Sequence, residues 1–187
     1  MINIDDKRFF LYKHVLSYNP EDKSEKISKR KVIELLEGYP NCFERDNMPG
    51  HITGSALLVD DNRMNVLLTH HQKIGKWLQF GGHSDGEENP FNVALRETVE
   101  ESGITEINFV YPFSGIFDID VHPIPEYEGL PKHYHYDIRI LLTTNQTDFV
   151  VSKESKELKW IKIDDIKNYN SQKEFLRMID KLKLIKK

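Results

Sequence analysis

Three glutamates, Glu97, Glu100 and Glu101, crowd into one short stretch that begins with two glycines and runs GGHSDGEENPFNVALRETVEESGI from Gly81 to Ile104. Carboxylates grouped this closely suit a hard divalent cation: Mg2+ takes a few carboxylate oxygens and fills its shell with water and substrate phosphates. The stretch itself predicts the element that carries them. Asn89 is a good N-cap, Pro90 suits the first helical position and Gly103 suits a left-handed stop. At about 100° per residue, Phe91, Ala94, Leu95, Thr98, Val99 and Ser102 share a mostly apolar arc, and the three glutamates share the opposite one, with Val93 the misfit among them. Like charges three or four residues apart cost a helix on the order of 0.2–0.5 kcal/mol each, so a cation should offset them. The Gly81-Gly82 turn lets backbone approach such an ion without a Cβ in the way, and the planar fork of Arg96 can orient a carboxylate. Spacing alone leaves two readings open, an ion site and a solvated acidic helix face paired with Arg96.

The same stretch resembles the Nudix box, which asks for Gly, five residues, Glu, seven residues, then Arg-Glu-aliphatic-x-Glu-Glu-x-Gly-aliphatic. Here that pattern is Gly82, Glu88, then Arg96-Glu97-Thr98-Val99-Glu100-Glu101-Ser102-Gly103-Ile104. Every charged and glycine position matches. Thr98 departs from the aliphatic requirement, but it falls on the buried arc and so bears on packing rather than on metal binding. HITGSALLVD, WLQFGGH and ELKWIKIDDI are similar to the strands around such a box, which extends the resemblance from about Gly50 to Ile166. The resemblance to the Nudix hydrolase (MutT-like) family implies an α/β/α sandwich with a mixed sheet. It also implies Mg2+- or Mn2+-dependent hydrolysis of a nucleoside diphosphate linked to another group, with water attacking phosphorus. By position, Glu97, Glu100 and Glu101 match the metal-binding glutamates, Gly81 the residue whose carbonyl often completes the ion's shell, and Arg96 and Glu88 the pair that holds loop and helix in place. A later acid often joins such a site or serves as base; Glu154 is the first candidate and Glu157 the second. The alternative is a binding module of the same fold that senses a nucleotide without cleaving it. A third, an isoprenoid diphosphate isomerase on a related fold, would be expected to use a catalytic cysteine, and the sole cysteine, Cys42, lies well upstream of the box.

A second concentration of chemistry lies further on. Strand alternation groups Asp118, Asp120 and His122 on one face, and His133, His135 and Asp137 on another. If those strands are neighbours, imidazoles and carboxylates meet in a second metal site or in a polar, substrate-facing surface. His122, His133 and His135 are the candidate pocket residues. A subset of Nudix-like proteins of unassigned substrate is similar in its DIDVHPIP and HYHYD segments, and no signature of the NADH, coenzyme A or ADP-ribose subfamilies is recognised. Trp77, Phe80 and Tyr111 are candidates for stacking on a base, or else core aromatics.

The pattern predicts a helical extension over residues 1–45 and the catalytic domain over 46–187. A first helix is capped by Asp5 or Asp6 and faces inward through Phe9, Tyr12 and Leu16; a second runs from Ser24 to Gly38. The Lys29-Arg30-Lys31 run, interleaved with glutamates, reads as a solvated face. From His51 the period turns strand-like, with a hairpin through Asp60–Arg63, and a last helix opens with a Ser171–Glu174 capping box and buries Phe175, Ile179 and Leu182. A net charge of −4 disfavours a nucleic-acid polymer but allows a small phosphorylated substrate held by an ion. A lone cysteine, and no apolar run near the roughly 18 residues of a membrane span, make a cytoplasmic protein the expectation. The N-terminal helices are free to cover the pocket, extend the core or form a homodimer contact.

Overall fold

The computed structural model describes residues 2–110, 115–126 and 129–185. Two helices come first, α1 (Phe9–Ser17) and α2 (Lys23–Gly38). Asp22 caps α2 by accepting from the Glu25 amide at 3.0 Å. α1 has no such cap, because Asp6 is held by Arg8 at 2.6 Å. Its buried stripe is Leu11, Tyr12 and Val15, while Leu16 is exposed. Apolar residues occupy nearly every position from 9 to 12, so the sequence allowed several stripes and packing against α2 selected one.

After β1 (Gly50–Asp60) come β2 (Asn65–His71), β3 (Trp77–Leu78), β4 (Phe80–His83) and helix α3 (Pro90–Ser102). The chain continues through β5 (Asn108–Phe109), β6 (Asp118–Ile124), β7 (His133–Thr144), β8 (Ser155–Lys162), a 3-10 turn at Ile163–Asn168 and α4 (Lys173–Leu184). Among the described residues, eight strands make one mixed sheet. β1 is its centre. It runs parallel to β7 from Gly50 opposite Tyr134 to Asp60 opposite Thr144, and on its other side it pairs antiparallel with β4 and then with β2.

Each face of β1 packs against different helices. Ile52, Ala56 and Leu58 join Leu11, Val15, Val32 and Leu36 of α1 and α2 and Phe91 and Ala94 of α3; Leu57 and Val59 join Phe175, Met178, Ile179 and Leu182 of α4. The result is an α/β/α sandwich. The Ser171 cap does not form: Gln172 is the N-cap residue of α4 without a side-chain bond, and Asn170 Oδ1 accepts from its amide at 2.9 Å. The Asn170 turn thus supplies the local polar partner that a capping serine would have supplied.

Polar groups also cross the α4 face. Glu25 of α2 is fully buried, with Lys181 of α4 2.5 Å from its Oε1, and Lys181 also lies 2.8 Å from Asp118 of β6. Burial, then Asp118, push the Glu25 carboxyl above its ordinary range.

Candidate active site

Gly81 and Gly82 lie within β4, opposite Ser55 and Gly54 of β1, and not in a turn. That placement allows α3 to sit almost on the sheet. A Cβ on Gly54 would strike the Pro90 carbonyl oxygen and come within 2.9 Å of Val93 Cβ; one on Gly82 would come within 2.5 Å of the Glu97 carboxyl carbon. Val93, the misfit of the acidic arc, is consequently buried against the sheet, and Glu101 is only 7% exposed. Glu97 and Glu101 of the acidic arc face β4, while Glu100 stays exposed to solvent.

Glu101 Oε1 accepts from the Gly81 amide at 3.1 Å. Burial pushes its carboxyl up to about 7; the Gly81 N–H opposes this, and the charges of Glu97, Glu154 and Glu100 add to it. Arg96 ties the neighbourhood together, donating to Glu97 Oε1 at 2.8 Å and to the His83 carbonyl at 3.2 Å, with Glu100 at 3.9 Å. Glu88 is exposed, and its carboxylate has no ion-pair partner among the described residues. The loop is braced instead by Glu87, which accepts from the Asn89 amide at 2.9 Å, and by Arg45, which reaches Asp85 Oδ2 at 2.7 Å. Thr98 is fully buried and its hydroxyl donates to the Ala94 carbonyl at 2.7 Å, which satisfies the polar group inside its own helix. Gly103 takes the left-handed conformation at φ 69° that ends α3.

Glu154 lies in the loop before β8, where its carbonyl accepts from the Gln72 amide at 2.8 Å and its charge is felt by Glu101. Glu157 stands opposite His70 in the β2–β8 ladder, away from these groups.

The two His/Asp faces do meet, since β6 and β7 are antiparallel neighbours with His122 opposite His135 and Asp120 opposite Asp137. The carboxylates there are already occupied. Buried Arg139 reaches Asp137 at 2.7 Å, Asp120 at 3.2 Å and Asp118 at 3.3 Å, and Arg177 reaches Asp118 at 2.7 Å. A mixed imidazole-carboxylate metal site is therefore not what the strands build; arginine and lysine neutralise the acids. His122 stays near the surface, 2.9 Å from Asp120. His133 and His135 turn inward toward His51 of β1 and His83 of β4. Those last two are residues that sequence reasoning missed: both lie on the odd-numbered face of their strands, but only the β1–β7 and β1–β4 pairings reveal the meeting.

Among the stacking candidates, Trp77 lies over His70 at 5.0 Å and 12° and is half-buried. Phe80 is fully buried and unavailable to a ligand; Tyr111 lies outside the described residues. Cys42 is fully buried, and burial pushes its thiol up to about 12.

This sandwich, with a glutamate-bearing helix laid on a Gly-Gly strand, has counterparts of known family. The chain belongs to the NUDIX domain family, whose model matches residues 50–179, and it is a Nudix hydrolase. It is 28% identical over 121 residues, 63% of this chain and 69% of the relative, to a Lactococcus lactis protein described as "Probable DHNTP pyrophosphohydrolase". A NUDIX-family hydrolase from Clostridium perfringens superposes with a TM-score of 0.55 at 27% identity, covering 73% of this chain and 98% of that one. The m7GpppN-mRNA hydrolase NUDT17 of Xenopus laevis is 30% identical over 99 residues, half of this chain but only 33% of the relative's length.

Proposed function

We propose that this chain is a divalent-metal-dependent pyrophosphohydrolase, cleaving a small nucleoside diphosphate derivative with water as the nucleophile. The observation that carries this reading is the burial of Glu101 against the Gly81 amide, beside Glu97 and Glu100, with its carboxyl raised chiefly by that burial and further by the neighbouring carboxylates. Glu97 and Glu101, packed against a strand that a Cβ would obstruct, form with the exposed Glu100 beside them a donor set of the kind a hard cation takes. Glu97, Glu100 and Glu101, with the Gly81 carbonyl, would hold Mg2+ or Mn2+. Such an ion supplies positive charge against phosphate oxygens and makes a nearby water more acidic.

The chain's own residues do the rest. Arg96 fixes the Glu97 carboxylate and anchors α3 to the β4 carbonyl of His83, so that the donors are arranged before substrate arrives. Glu154, whose charge reaches Glu101 from an exposed loop, takes the proton of the attacking water. His122, partly exposed at the mouth of the β6–β7 face, contacts the group beyond the diphosphate, and His133 and His135 form the wall behind it. The relatives' names, a DHNTP pyrophosphohydrolase and an mRNA hydrolase, support a phosphoanhydride substrate. The retained glutamates favour turnover over mere sensing, because a sensor has no need of a metal-loaded box.

The test is a panel of nucleoside diphosphate derivatives and nucleoside triphosphates, with Mg2+ or Mn2+, read by product mass. On whichever substrate is cleaved, Glu101→Gln should lower kcat by about a hundredfold or more while the circular dichroism spectrum is unchanged. Full activity in that variant would refute the assignment. Thermal stabilisation by nucleotides with no product formed across the panel would favour the sensor instead.

A further inference from the structure

We propose that His51, His133 and His135 bind one borderline transition-metal ion, zinc or a congener such as cobalt(II) or nickel(II), at a site separate from the glutamates of α3. The parallel register of β1 and β7 sets His51 opposite His135, with His133 two residues away on the same face. Ring centroids lie 5.0 Å apart for His51 and His135, 5.1 Å for His51 and His133, and 5.3 Å for His133 and His135. One nitrogen from each ring lies within 4.8 Å of the other two. An ion at the centre of such a triangle would sit at most about 2.8 Å from each, so a shift of no more than roughly 0.7 Å per ring closes the site to the ~2.0–2.1 Å of a Zn–N bond.

The chemistry of the donors matches. His51 is 2% exposed and neither of its ring nitrogens has a hydrogen-bond partner in the protein; the same is true of His135 Nε2. Leaving buried polar nitrogens unmatched is destabilising, which is a poor way to fill a core that Leu or Val could fill. His133 Nδ1 lies 2.9 Å from the Pro131 carbonyl, which can only accept, so Nδ1 carries the hydrogen and Nε2 presents its lone pair. The nearby carboxylates are claimed by Arg139, which leaves an all-imidazole set. Imidazole selects zinc, cobalt, nickel and copper and not magnesium. His83 borders the remaining side, its ring 5.1 Å from His51 and 4.9 Å from His135.

The ion site shares His133 and His135 with the pocket wall proposed above but none of the α3 glutamates, and its test reads bound metal rather than turnover. Tag-free full-length protein is stripped with chelator, reloaded with Zn2+ or Co2+, dialysed against metal-free buffer, and assayed for bound metal by mass spectrometry and for cobalt d–d absorption. The expected result is about one equivalent of retained metal and a visible cobalt band, both unchanged in Glu101→Gln and both lost in His51→Asn and His135→Asn. Substoichiometric retention by the parent protein, or equal retention by folded histidine variants, would overturn the site. Should the variants not fold, imidazole 15N shifts of the parent protein decide: zinc-induced shifts at His51, His133 and His135 uphold the proposal, and their absence refutes it.

Discussion

Glu101 concentrates the chemistry of the α3 site in one titration. Its carboxyl titrates at about 7 in the folded protein, against about 4.5 for an ordinary glutamate, chiefly because it is buried. Between those two values the unfolded chain has released its proton while the folded chain keeps it, so stability falls as pH rises and levels off above about 7. In chelator the free energy of unfolding of the parent protein minus that of Glu101→Gln should therefore decline from about pH 5 to about pH 8, by up to about 3 kcal/mol. Taking the difference removes the opposite contribution of His51 and His135, whose lowered values add stability as pH rises toward about 6.5 in both chains. Mg2+ should restore the loss at the upper end. Urea melts of both chains at the two pH values check it, and a pH-independent difference would show that the carboxyl is not held as described. Cys42 gives a simpler expectation: a buried thiol pushed up to about 12 should resist thiol-reactive reagents at pH 8 until the chain is unfolded.

Helix α3 seats on β1 and β4 because a glycine in each strand, Gly54 and Gly82, permits the contact. Gly54→Ala should be strongly destabilising, by about 1–3 kcal/mol or more, since its Cβ meets the Pro90 backbone, which cannot swing aside. Gly82→Ala first meets the carboxylate end of the Glu97 side chain, which can move, so it should cost less stability and more activity. Thermal melts set beside turnover separate the two effects, and equal melting losses would contradict the packing described. At this scale the sequence was readable wherever the determinant was local. Asn89, Pro90 and Gly103 marked both ends of α3, and Phe175, Ile179 and Leu182 marked the buried side of α4, because capping and periodicity act within a few residues. The burial of Val93 and Glu101 was not readable, since it depends on Gly54, far away in the chain. Nor was the meeting of His51 with His135, which depends on a parallel pairing that no local pattern encodes.

Across the whole molecule, the N-terminal helices are tied to the last one by buried charge. Lys181 reaches Glu25, Asp118, the Tyr18 hydroxyl and the Phe117 carbonyl, each within 3.1 Å. Lys181→Met should cost about 3–5 kcal/mol, because it takes the close cation from the buried Glu25 carboxylate while Asp118 keeps Arg139 and Arg177, and Glu25→Gln added to it should recover part of that loss. A double-mutant cycle in urea measures the coupling, and strict additivity would show that the two residues act separately. No helix among the described residues is long and apolar enough to cross a membrane. The central parallel pairing also fixes an order of assembly. Thr53 and Asp137, hydrogen-bonded across β1 and β7, are 84 positions apart in the chain. The β1–β2 hairpin and α3 can form from neighbouring segments, but closing so long a loop is slow and comes late. On a ribosome, β1 must therefore wait for β7 to emerge, so a nascent chain can present the glutamates of α3 well before His51 has met its imidazole partners.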